Sequence, residues 1–79
     1  TKADKLRTKI LFGAKKNIRF SNLCTFLKQS GFSPEQNATS HQVYRKEGYP
    51  KIVIQPKPDG SAKPYQIGQI RELFEKYGL

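Results

Sequence analysis

Acidic residues are scarce in this chain. Six Asp and Glu stand against fifteen Lys and Arg, a net charge of +9 over 79 residues. An excess that large points to a polyanion as ligand: nucleic acid, an acidic protein or an anionic surface. Cys24 is the only cysteine. An internal disulfide and a cysteine-built zinc site are therefore excluded, and a reduced, cytoplasmic setting is the simplest expectation. His41 is the only histidine. One His, one Cys and scattered carboxylates do not make a usual metal constellation, so neither a metal nor another cofactor is expected. No apolar run approaches the length that spans a bilayer, so no membrane partner is expected either. Thr1-Lys2-Ala3-Asp4 leads into no apolar stretch of the signal-peptide kind. Thr1 stands in place of an initiator Met, and a processed or truncated start is the matching expectation.

Four Tyr and five Phe, within a hydrophobic share of 35%, supply material for one small core. A chain this short holds one domain and is marginal alone, which is an early hint of a partner. There is no internal repeat. The first helical segment is expected over residues 5–12, carrying Leu6, Ile10 and Leu11, with Asp4 as cap and Gly13 as end. The second starts at Ser21 as N-cap and runs Leu23, Phe26 and Leu27 along one stripe. Gly31-Phe32 then carries the pattern of a Schellman end, with Phe32 packing back on Leu27. The last helix places Ile67, Ile70, Leu73, Phe74 and Tyr77 on one face and ends likewise in Gly78-Leu79. Arg71/Glu75 and Glu72/Lys76 sit at ion-pair spacing on its exposed side, and Gly68 weakens it by ~1 kcal/mol relative to Ala.

Strands are expected between these helices. Residues 34–38 read as a weak edge strand because Pro34 cannot donate to a ladder. Residues 40–46 and 51–55 read as strands, separated by a Gly48-Tyr49-Pro50 turn. The order is α-α-β-β-β-α. The fold class is α+β, a three-stranded antiparallel sheet packed under two helices, with a short basic helical extension over residues 1–17 preceding a domain over 18–79.

Few residues can carry chemistry. Alternation puts His41, Val43 and Arg45 on one face of their strand and Gln42, Tyr44 and Lys46 on the other. A lone strand histidine is more often structural; the competing reading is an acid or base titrating near neutral pH. Cys24, beside Leu23, reads as a small buried hydrophobe. Asp59-Gly60-Ser61 reads as a turn rather than a phosphate loop. The cations Lys15, Lys16, Arg19, Arg45, Lys46, Lys51, Lys57 and Lys63 gather around the strands and their loops. They form either a solvated surface or a phosphate-binding one. Tyr44, Tyr49 and Tyr65 are either base-stacking groups or parts of the core and its rim.

Residues 18–79 resemble the HicA toxins of type II toxin–antitoxin systems. The resemblance rests on motifs in order. A leucine-rich helix ends in Gly31-Phe32. The stretch Thr39-Ser40-His41-Gln42-Val43-Tyr44 resembles a Gly-Ser-His-His strand with an aromatic three places after the first His. A strand over 52–56 ends in Pro56. Lys63-Pro64-Tyr65-Gln66-Ile67 enters the last helix, which closes on Gly78-Leu79. Two positions depart from the pattern: Thr39 replaces the usual Gly, and Gln42 replaces a frequent second His. The resemblance implies a fold like the double-stranded-RNA-binding domain and metal-independent cleavage of mRNA. It also implies neutralisation by an acidic, HicB-like antitoxin.

On that reading a 2′-OH attacks the adjacent phosphate, with His41 as acid or base. Ser40, Arg45, Lys46 and Lys63 are the candidate RNA ligands, the lysines stabilising the extra negative charge. The alternatives are a non-catalytic RNA-binding module, which needs no histidine, and an interaction module for an acidic protein.

Overall fold

The structure is a computed structural model and describes residues 1–35 and 41–79. The elements run α1 (Lys2–Phe12), α2 (Phe20–Gln29), β1 (Ser33–Pro34), β2 (Gln42–Arg45), β3 (Ile52–Ile54) and α3 (Pro64–Tyr77). The expected α+β order is therefore present. The three strands form one antiparallel sheet in the order β1-β2-β3.

β2 is the central strand. It pairs Ser33 with Arg45 and Pro34 with Tyr44 on one side, and Gln42 with Ile54, Val43 with Val53 and Tyr44 with Ile52 on the other. Pro34 lies on an edge strand, where a missing N–H costs least. Tyr44, Ile52 and Ile54 are buried toward the helices, while Val53 and Arg45 are exposed on the outer face. The first strand covers Ser33–Pro34, and residues 36–38 of the expected 34–38 lie outside the described residues. The second strand covers Gln42–Arg45, with His41 just before it, and residue 40 of the expected 40–46 lies outside the described residues.

Both glycine-ended helices close as expected. Phe32 N donates to Leu27 O at 3.0 Å and Gly31 N to Lys28 O at 3.1 Å, the two bonds of a Schellman motif. Gly31 adopts φ +93°, a conformation a Cβ would strain. At the end of α3, Leu79 N reaches Phe74 O at 2.9 Å and Gly78 N reaches Glu75 O at 3.3 Å.

The helix starts differ from expectation. Thr1 rather than Asp4 caps α1, and Asp4 at N3 completes its capping box. Ser21 does not cap α2. The cap is Arg19, whose side chain makes no capping bond. Phe20 N instead donates to Gly60 O at 3.0 Å, so a distant loop supplies the acceptor. Ala62 N to Ile18 O at 2.7 Å ties the same loop down.

α1 packs against both α2 and α3. Ile10 is fully buried in the same apolar cluster as Phe26 and Phe74. Arg71 locks this contact: its Nε donates to Ile10 O at 2.7 Å and its guanidinium also reaches Gly13 O. Those are carbonyls that the end of a helix leaves without partners. Arg71 is thereby drawn from Glu75, and neither ion pair expected on α3 forms. Lys15 Nζ lies 3.2 Å from where a Cβ on Gly68 would sit, so Gly68 makes room for a crossing side chain.

The nine expected core residues (Leu23, Phe26, Leu27, Phe32, Ile52, Ile54, Ile67, Ile70 and Phe74) are all buried. Ile10, Ile18, Phe20, Tyr44 and Ala62 join them. Phe74 sits at the centre, its ring centroid 5.1 Å from that of Phe26 and 6.0 Å from that of Phe32. Phe26→Ala should cost about 3–5 kcal/mol in urea denaturation, of the order of the whole stability of a small domain. Phe12→Ala, at a side chain 78% exposed, should stay within about 0.5 kcal/mol of wild type.

Candidate functional site

His41 lies immediately before β2 and is exposed. Burial of Tyr44 settles the alternation: Gln42 turns inward with Tyr44, and Val43 and Arg45 turn outward. This end of the sheet also holds the C-terminal end of β3, since Gln42 pairs with Ile54. The loop after β3 returns to α2 through an Arg19–Ser61 bridge. Asp59 Oδ1 shapes that loop by accepting from Ser61 Oγ at 2.6 Å and Ser61 N at 3.0 Å. The Ser61 hydroxyl bond is the main reason its carboxyl stays below the usual carboxylate range.

The candidate cations divide between the two ends of the sheet. Arg45 is four residues along β2 from His41, roughly 13 Å at the rise of a strand, and it pairs with Glu35. Lys46 is half-buried beyond it. Its Nζ donates to Ser30 O at 2.9 Å and lies 5.2 Å from the Tyr49 ring and 5.8 Å from the Phe32 ring. A cation over the C-terminal carbonyls of α2 stabilises the helix end. Arg45 and Lys46 thus serve structural contacts at the end of β2 away from His41.

Lys63 is different. It caps α3, and its Nζ donates to Gln55 Oε1 at 3.4 Å, one residue past β3 at the end of the sheet that carries His41. Ser40 and Thr39 lie outside the described residues. Of the tyrosines, Tyr44 is 1% exposed and has no face for a base. Tyr49 packs on Phe32 and Tyr77, with ring centroids 6.3 and 5.3 Å away. Tyr65 is exposed.

A groove of about 520 Å³ opens between one edge of α2, the start of β2 and the loop after β3. Arg19, Ser21, Cys24, Thr25 and Lys28 line it from α2 and its cap, Gln42 and Tyr44 from β2, and Pro56 and Gly60 from the loop. Cys24 is half-buried rather than fully inside. Its Sγ donates to Gln42 Oε1 at 3.6 Å, and the Tyr44 hydroxyl donates to the same oxygen at 3.3 Å. Burial, and then the neighbouring Cys24 thiol, push the Tyr44 phenol well above its ordinary pKa, so it remains a protonated donor. Sequence reasoning missed this groove. The available signal was the spacing of Ser21, Cys24, Thr25 and Lys28, which share one helix edge.

Searches of family models, curated proteins and solved structures return no match to the chain. The resemblance to HicA toxins therefore stands on the motifs themselves. Among the described residues no three His, Cys, Asp or Glu side chains converge as metal ligands. No helix among them is long and apolar enough to cross a membrane. Lys46→Ala should lower stability by about 1–3 kcal/mol in urea denaturation, because a charged hydrogen bond and two ring contacts are lost. Lys63→Ala, which loses one long bond, should cost less.

Proposed function

We propose that the chain is the toxin of a HicAB-type pair: a cytoplasmic endoribonuclease that cleaves mRNA without a metal ion and so blocks translation. An acidic HicB-like antitoxin neutralises it. The observation that carries the reading is the exposure of the single histidine at an end of the sheet that also bears Lys63 and Arg19. The α2-β1-β2-β3-α3 order supports it, because the resemblance of residues 18–79 implies an α-β-β-β-α domain. The charge of +9 suits both an RNA substrate and an acidic partner.

The chemistry follows from those groups. A ribose 2′-OH attacks the adjacent phosphorus while the 5′-oxygen of the next nucleotide leaves. His41 takes the hydroxyl proton or supplies one to the leaving oxygen. With a single histidine the other proton passes through water, which makes turnover slow. Lys63 and the groove cations offset the charge that builds on the phosphate oxygens. Arg45 and Lys46 are left out of this set because their contacts lie at the other end of β2.

Expression of the chain alone should arrest growth and deplete full-length mRNA, and His41→Ala should abolish both. Loss of a positioned acid or base is worth ~100- to 10,000-fold in rate. Purified His41→Ala should keep its helical circular dichroism and its binding to the antitoxin. A folded His41→Ala chain that still degraded RNA at the wild-type rate would remove His41 from the chemistry. Full growth arrest by that variant without RNA cleavage would favour a non-catalytic RNA binder.

A further inference from the structure

Gln42 occupies a specific position in the groove. Its Oε1 accepts from two donors, Cys24 Sγ and the Tyr44 hydroxyl, so its acceptor side is already engaged. Its Nε2 has no partner among the described residues, and the side chain is only half-buried. An amide held in this way presents its two N–H groups and not its oxygen. The groove volume of about 520 Å³ falls within the range of small-ligand clefts, roughly 300–1,000 Å³. Arg19 and Lys28 line it, are exposed, and form no ion pair with any described residue. Gln42 is also the chain neighbour of His41. Alternation turns the two to opposite faces, but both stand at the start of β2, so an RNA strand that wraps this end of the sheet passes from one to the other.

We propose that this groove holds one nucleobase of single-stranded RNA flanking the bond at His41, and that the Gln42 amide selects a keto base, uracil or guanine. The inference rests on the RNA-cleaving reading and adds the preference of its site. Uracil O4 and guanine O6 are acceptors that the Gln42 N–H groups can meet. Cytosine and adenine present an amino group at the corresponding position. A glutamine recognises adenine by accepting from that amino group with its oxygen, and here the oxygen is taken. Arg19 and Lys28 meet the flanking phosphates, which supply affinity without sequence information. Cys24 and Tyr44 act as positioning residues through Gln42.

The test measures binding of the full-length His41→Ala chain to labelled oligouridine and oligocytidine of equal length, so that cleavage does not enter. Oligouridine should bind about 3- to 10-fold more tightly, the worth of one net hydrogen bond. Gln42→Leu should erase the difference. Gln42→Glu keeps an acceptor for Cys24 and Tyr44 but offers the base an acceptor in place of donors. Its preference should shift toward oligocytidine, even as the added negative charge weakens binding to both strands. Circular dichroism checks that both variants remain folded. Equal binding of the two strands by the parent chain would overturn the inference while leaving the RNA reading intact. So would a uridine preference that survives in folded Gln42→Glu. A parent preference for oligocytidine would mean that Gln42 presents its oxygen, and would also overturn it. Binding to neither strand would overturn the RNA reading together with the inference.

Discussion

Tyr44 is buried on the central strand, paired with Pro34 on one side and Ile52 on the other. A strand has two faces, so a phenol committed to the core sets the direction of every neighbour. Gln42 follows it inward, toward α2, while Val43 and Arg45 face out. The hydroxyl of Tyr44 needs a partner inside the protein, and it finds one in the Gln42 amide, which also accepts from Cys24. One buried aromatic thereby orients the start of β2, leaves His41 exposed just before it, and joins β2 to α2 beside the groove.

The cations follow the same geometry. At the far end of β2, Lys46 holds the C-terminus of α2 and Arg45 holds Glu35. Near His41, Lys63 reaches Gln55, and Arg19 stands at the mouth of the groove, whose other end carries Lys28. The positive excess is thus divided between charges that stabilise the fold and charges open to a polyanion. An acidic antitoxin that covers the second group would block RNA by occupying the same charges, with association that weakens as salt rises.

Local signals were the legible part of the sequence. The apolar stripes of α2 and α3 and their Gly31-Phe32 and Gly78-Leu79 ends depend on residues within one or two turns, and they form as read. Features with distant partners were not legible. Phe20 is held by Gly60, and Arg71 by carbonyls at the end of α1. Neither spacing nor propensity announces such a partner. Tyr44 illustrates the same limit, since its type suits a base-stacking surface as well as a core and only the packing decides. His41 was legible because it is the only histidine. The groove was not, because it needs the polar edge of α2 set against the inner face of β2.

The central claim is that His41 cleaves RNA by moving protons, with the substrate's own 2′-OH as nucleophile. The most direct measurement is the chemistry of the product ends. Purified wild-type chain, incubated with single-stranded RNA in excess chelator, should release fragments ending in 2′,3′-cyclic phosphate with 5′-hydroxyl partners. Folded His41→Ala should release almost none. Cleavage that stops in chelator, or fragments that carry 5′-phosphates, would contradict the account.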